Sequence, residues 1–365
     1  MPIDIHKLSQ YYSPDYFAAR ERFLAACKER GLALHALPID AASPNGQSLA
    51  IDVGVAGEAR PTTAVVLSSG VHGVEGFFGS AVQLAFLDSL AADWRPPDGA
   101  AVILLHALNP FGFAWRRRFN EENVDLNRNF LLPDESYSGA PPLSGRFRSV
   151  LTPRGFHQRF GFWTARMALL ALRHGIGSFW QTLPVGQYEY PEFLYFGGHQ
   201  RTQTAKLLDG FLPTLLADAQ QVVHLDFHTG LGRWANCELL LAEREPAEYA
   251  DWWREHFPGT TVKEAVSNTR SYAIRGGFGQ WLQARFPECR YRYAVAEFGT
   301  YSPRRVTQAM AEELRWHQQL GAREPEHWSR RQLADVFVPR DPRWRATALE
   351  TGLSLSQRAT DALWR

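Results

Sequence analysis

His72 and Glu75 form the only His-x-x-Glu pair in the chain. Zinc takes nitrogen and oxygen ligands of this kind at roughly 2.0–2.2 Å. With 12 histidines in the sequence, one such pair arises readily by chance, and a histidine beside a glycine loop is more often an ordinary polar contact. Position strengthens it. The pair sits in GVHGVEG, a Gly-rich turn directly after the apolar run TAVVLSS, where a cation can reach both side chains. A catalytic zinc keeps three protein ligands and an open position for water, so a third ligand has to come from elsewhere in the chain. His228 ends the run QVVHLDFH, in which strand alternation puts His224, Asp226 and His228 on one face. His228 is nearer the following loop. His224 competes with it, although its plainer reading is a core histidine with a satisfied hydrogen bond. Asp226 is placed to orient a neighbour.

Glu297 closes a further apolar run, RYAVAEF. A strand-end carboxylate followed by glycine can face a site and exchange a proton there. Its plainer reading is a surface or capping glutamate.

The elements that must position these residues follow from the patterning. Residues 14–30 carry apolar positions at helical spacing, with Ser13 as the expected cap and Gly31 as the stop. SLAIDVGV (48–55) and TAVVLSS (63–69) read as two strands joined by the polar turn AGEARPT. AVILLHAL (101–108), QVVHLDF (221–227) and RYAVAEF (292–298) are buried-strand patterns, each running into a polar loop. That is the layout of an open α/β sheet, whose ligands gather outside the carboxyl ends of the strands. Residues 131–219 read as an insertion, with a Ser/Pro/Gly loop, helical patterns around 156–174 and 201–216, and GQYEYPEFLYFGG between them. Residues 302–320 read as a helix on the sheet. The expected organisation is a catalytic domain over 1–320, with 131–219 a largely helical insertion, and a helical C-terminal appendage over 321–365 rich in Arg and Trp.

GVHGVEG, RRRFNEENVDLNRNF, DFHTG and AVAEFG, in this order over residues 70–299, resemble the motif series of the zinc carboxypeptidase superfamily. That superfamily includes the aspartoacylase and succinylglutamate desuccinylase deacylases. GQYEYPEFLYFGG resembles a bacterial branch of it that lacks an established substrate. The resemblance implies a three-layer α/β/α fold with a mixed, mostly parallel central sheet, and one zinc per chain held by His72, Glu75 and His228. It implies that Glu297 is the general base and that Arg118 helps polarise the scissile carbonyl. Asn127 and Arg128 would grip a free carboxylate of the substrate, a task for which a planar guanidinium is well shaped. Asp125 would hydrogen-bond the first zinc histidine and fix its tautomer. Tyr272 is the nearest counterpart of the family's mobile tyrosine. Arg116 and Arg117 read as solvated, or as pairing with acids such as Glu121 and Glu122.

The activity this implies is cleavage of an amide next to a free carboxylate, by a metallocarboxypeptidase in the first place. DLNRNF with Asn120 upstream looks like the peptidases, while DFHTG looks like the deacylases, so an N-acyl amino acid deacylase is the alternative. The partner is then a peptide or an N-acyl amino acid. A non-catalytic metal-binding scaffold is the reading from another class, and it would need none of Glu297, Arg118 and the three ligands together. No GxSxG elbow is present, which disfavours a serine hydrolase.

Composition narrows the rest. A hydrophobic fraction of 45% against 21% charged residues provides enough apolar side chain for a core of this size. Lys plus Arg number 39 and Asp plus Glu 38, so there is no field to attract nucleic acid, and no basic stripe to bind it. No apolar run reaches the roughly 18 residues of a membrane span, and no signal peptide pattern is evident at the start. Cys27, Cys237 and Cys289 are odd in number and lack CxxC spacing, which fits reduced thiols and a cytoplasmic location.

Overall fold

The structure is a computed structural model of the 365-residue chain and describes residues 8–151, 168–170, 172–175, 182–241, 247–264, 274–320, 324 and 326–364. Its centre is an eight-stranded mixed sheet in the order β1-β2-β4-β3-β5-β8-β6-β7. In chain order these are β1 (Ala33–Ile39), β2 (Leu49–Gly57), β3 (Thr63–Ser69), β4 (Ala100–His106), β5 (Gln221–Trp234), β6 (Cys237–Leu241), β7 (Thr261–Lys263) and β8 (Arg290–Gly299). The four strands β4, β3, β5 and β8 are mutually parallel neighbours, and they are the four whose apolar runs mark them as buried. The outer pairs β1/β2, β2/β4 and β6/β8 are antiparallel, and β6/β7 is parallel. An α/β architecture with a mixed, mostly parallel sheet is what the motif resemblance implies.

β2 and β3 are both strands, and β4 lies between them. β3 is buried along nearly its whole length and takes the centre of the sheet, with a parallel partner on each side. Two local expectations change. The helix expected over 14–30 runs Tyr16–Glu29 and is capped by Asp15, whose carboxylate accepts from the Ala18 amide at 2.9 Å. Ser13 instead accepts from Arg22. Arg117 is fully buried and pairs with Glu313 at 2.8 Å, while Arg116 reaches Glu326, so neither takes Glu121 or Glu122. The expected helix around 201–216 forms over Gln203–Leu216 with Thr202 as its cap. Most of the helical pattern at 156–174, and Tyr272, lie outside the described residues.

Two buried apolar clusters cover the sheet, one on each face. On one, Val223, Leu225 and Phe227 of β5 meet the helix Gly76–Ser89 through Phe78 and Val82, and the helix Pro342–Trp364 through Trp344 and Leu349. Trp344 also donates its indole N–H to the Gly299 carbonyl at 2.8 Å. On the other, Ala64, Val66 and Val222 meet Leu208 and Leu212 of the helix Gln203–Leu216, and Phe278 and Trp281 of the helix Phe278–Arg285. Removing this apolar area from water, at about 25 cal/mol per Å², is the main force holding the strand ends in register. No helix among the described residues is long and apolar enough to cross a membrane.

Candidate metal centre

β3 ends and β8 nears its end on either side of the middle of β5, because Ser69 pairs with Phe227 and His228 pairs with Glu297. The turn after β3 carries His72 and runs into a short 3-10 segment, Gly73–Glu75. It lies flat on the helix Pro110–Ala114: a Cβ at Gly73 would sit 2.2 Å from the Gly112 carbonyl carbon, so only glycine fits. The Gly73 and Val74 amides donate to the carbonyls of Arg118 and Arg117 at 3.2 and 2.8 Å. The RRR segment therefore clamps the loop through its backbone while Arg118 turns its side chain towards the site.

His72, Glu75 and His228 are all buried, and their ligand atoms lie within 4.8 Å of one another, so the three can hold a metal ion. His72 Nδ1 is 2.9 Å from Glu75 Oε1, and His228 Nδ1 is 3.2 Å from both His72 Nδ1 and Glu75 Oε2. A tetrahedral cation with bonds of roughly 2.0–2.2 Å has ligands about 3.3–3.6 Å apart. The observed spacing lies just inside that, and a few tenths of an ångström of expansion would admit the ion. Each imidazole is also oriented from its far side, as metal-binding histidines generally are. His228 Nε2 donates to Asp226 Oδ2 at 2.8 Å, and His72 Nε2 lies 3.1 Å from Asp125 Oδ1.

His224 is the core histidine of its plainer reading. Its two ring nitrogens meet Ser68 Oγ at 2.7 Å and the Tyr291 hydroxyl at 2.9 Å. It is fully buried away from the three-residue group, and burial depresses its pKa to about 4.

The charges are strongly interdependent. Burial opposes ionisation of Glu75, but His72 and His228 prevail and bring its pKa down to about 2. Burial likewise opposes ionisation of Asp125, while Arg118, His72 and Arg128 hold it well below the usual carboxylate range. Glu297 goes the other way: burial and the nearby Glu75 push it up to about 8, against the pull of His228, the Leu231 amide and Arg118.

A cavity of about 630 Å³ opens over the group and is lined by His72, Glu75, His228, Glu297, Arg118, Asn127 and Arg128. Arg118 reaches Asp125 through Nε at 3.1 Å and Glu75 through Nη1 at 3.2 Å. Arg128 directs Nε and Nη2 at the Pro184 carbonyl and Nη1 at that of Asn127. Asn127 accepts from the Phe278 amide at 2.9 Å. The residues expected from the motifs thus meet at one place.

A family model described as "Protein of unknown function (DUF2817)" matches residues 12–351. The chain belongs to the DUF2817 family. No curated protein matches this DUF2817 chain. Among solved structures it is similar to carboxypeptidase A from Helicoverpa armigera, at 13% identity over 92% of this chain and 74% of that one, with a TM-score of 0.45. It is also similar to bovine thrombin-activatable fibrinolysis inhibitor, in complex with tick carboxypeptidase inhibitor, at 10% identity over 97% and 98% of the two chains and a TM-score of 0.49. A third likeness is to a metallopeptidase candidate from Shewanella baltica OS155, at 15% identity over 93% and 92% and a TM-score of 0.44.

The DUF2817 site has features that sequence reading leaves unassigned. Asp226 binds His228, and it also accepts from Ser68 at 2.6 Å and from the Tyr293 hydroxyl at 2.7 Å. Strand alternation places it beside His228, but the partner cannot be named without the register that brings Ser68 and Tyr293 alongside. Tyr195, from the 131–219 region, and Phe337, from the C-terminal segment, also line the cavity. Tyr195 belongs to GQYEYPEFLYFGG, whose aromatic residues read more readily as core than as cleft lining, and no motif singles out Phe337. Leu240 and Leu241 of β6 line its wall. Cys27, Cys237 and Cys289 are free thiols, the first two buried.

Proposed function

We propose that this chain is a zinc-dependent hydrolase that cleaves an amide bond next to a free carboxylate, acting as a metallocarboxypeptidase. The observation that supports this best is the convergence of His72, Glu75 and His228 under one cavity with Glu297 and Arg118 on its walls. The two histidines, through Nδ1, and the Glu75 carboxylate would hold one zinc per chain. Bound there, zinc supplies a Lewis acid that polarises a carbonyl and brings the pKa of water to about 7.

The remaining steps belong to the chain's own groups. Glu297 takes the proton from the attacking water and returns it to the amine nitrogen as the amide bond breaks. Its seat, buried in the cavity wall and at the register position beside His228, puts its carboxylate next to the proposed ligand group. Asp125 and Asp226 keep the proton on Nε2 of each histidine, leaving Nδ1 free for the ion. In that tautomer the 2.7 Å approach of Arg118 Nη2 to His72 Nε2 is not a hydrogen bond. Arg118 therefore has reason to turn its fork into the cavity, where it stabilises charge developing on the carbonyl oxygen. Arg128 and Asn127 receive the substrate carboxylate.

A second reading, an N-acyl amino acid deacylase, is supported by DFHTG at residues 226–230 and uses the same residues. One format separates the two: peptides of varied C-terminus beside N-acylated amino acids, with metal analysis on the same preparations. Close to one zinc per chain and release of C-terminal amino acids is the expected result. Cleavage of acylated amino acids alone selects the deacylase, and metal retained in both His72→Ala and His228→Ala overturns the zinc site.

A further inference from the structure

Tyr195 stands in the left-handed region at φ +56°, a conformation that bulky side chains avoid. Such strain persists only where the surroundings over-determine it, and it gathers at functional sites. Here the backbone is tied on both sides. The Tyr195 carbonyl accepts from the Gln187 amide at 3.1 Å, the Gly197 amide donates to Gln187 at 2.8 Å, and the Asp125 amide donates to Phe196 at 2.8 Å. The same contacts that strain Tyr195 thus attach it to the residue that orients His72.

The strain delivers the ring to the cavity wall, between two cations. The guanidinium carbons of Arg118 and Arg128 lie 5.5 and 5.7 Å from the ring centroid, close enough for a cation–π contact. Tyr195 lines the cavity, and among the described residues its hydroxyl has no hydrogen-bond partner, which leaves it available to a ligand. Burial raises its pKa against the pull of both arginines, which keeps it a proton-bearing donor.

The geometry points to Tyr195 as a substrate-binding residue, whose hydroxyl donates a hydrogen bond to the carboxylate of a ligand held between Arg118 and Arg128. The inference rests on reading the cavity as the substrate site. Ligands of the right class pair a free carboxylate with an aliphatic side chain, since Leu240, Val295, Val306, Met310 and Phe337 form much of the remaining wall.

The test is calorimetric binding of N-acetyl-L-leucine and of its amide, N-acetyl-L-leucinamide, to the full chain, zinc-loaded and after chelation. Tyr195→Phe keeps the ring between the arginines and removes only the donor. It should weaken the acid about tenfold or more, the worth of one hydrogen bond to a charged group, with no change for the amide or in melting temperature. Equal affinity of wild type and Tyr195→Phe for the acid overturns the inference. So does equal weakening of acid and amide with a lowered melting temperature, which marks a packing role, and so does wild type that binds no acid in either form. Tyr195-dependent binding in a protein that takes up no zinc sustains the inference and removes the zinc hydrolase. Zinc uptake and peptide cleavage with no effect of Tyr195→Phe does the reverse.

Discussion

His228 and Glu297 are register partners on the adjacent parallel strands β5 and β8. Paired positions on neighbouring strands send their side chains to the same face of the sheet. A shift of one residue in that pairing would turn Glu297 to the opposite face, whereas the histidine would stay. The position of the proposed base relative to the proposed ligand is therefore fixed by the backbone ladder. Glu297 Oε1 is further held by the Leu231 amide at 2.8 Å.

Glu297→Gln is expected to bind zinc as wild type does, because Glu297 is not one of the three ligands, while turnover falls by about 10²–10⁴. Metal content and kcat measured on the same preparation check this. Turnover close to wild type would reassign the base.

Arg128→Ala should raise KM for substrates with a free α-carboxylate by about tenfold or more and leave C-terminally amidated ones nearly unchanged. Since three donor groups of Arg128 already face the carbonyls of Pro184 and Asn127, a modest drop in melting temperature should accompany it. Equal kinetic effects on both substrate types would remove the carboxylate clamp.

Asp226→Asn should reduce zinc affinity by about 10–100-fold, the usual cost of losing a group that orients a ligating histidine. Competition against a chromogenic chelator reads this directly. His224→Gln, one alternation back on the same strand face, should lower the affinity less than Asp226→Asn does, because His224 reaches the ligand group only at one remove, through the Ser68 hydroxyl that bonds both His224 and Asp226.

Arg117→Met should destabilise the fold by about 3–5 kcal/mol, since it strands the buried Glu313 carboxylate without its cation. Urea unfolding measures it. Arg330 lies 3.7 Å from the same carboxylate and offsets part of the loss, so a value near the lower bound is expected. A change under about 1 kcal/mol would mean the pair contributes little.

Acid should destabilise the protein through His106. This residue is buried against Phe23, rings stacked at 4.4 Å, and burial drives its pKa from 6.5 to about 3. The unfolded chain binds a proton below about 6.5 that the native state refuses until about 3. The stability it contributes is complete above the upper value and is lost as pH falls between the two, at up to about 1.4 kcal/mol per pH unit. His106→Gln should flatten the pH dependence of the unfolding free energy across that window. An unchanged slope would place the acid sensitivity elsewhere.

The sequence by itself determined the four central strands and the candidate residues at their ends. β3, β4, β5 and β8 are continuous apolar runs, which only a doubly covered sheet can bury, and His72, Glu75, His228 and Glu297 follow or close such runs. The choice of His228 over His224 was also legible, from distance to the loop. Motif order supplied Arg118, Asp125, Asn127 and Arg128. Two outer strands were not legible: Ala33–Ile39, at one edge of the sheet, is largely exposed and contains Pro38, and Cys237–Leu241, next to the other edge, is short. Neither has a pattern that distinguishes it from loop. Tertiary structure alone decided that β4 lies between β2 and β3, that Arg117 is buried on Glu313 while Arg118 faces the cavity, and that Asp226 supports His228. It alone brought Tyr195 and Phe337 to the cavity wall from segments far apart in the chain. Periodicity reports which face of an element is apolar. It does not report which distant side chain arrives opposite, because that depends on register and packing between elements that share no local signal.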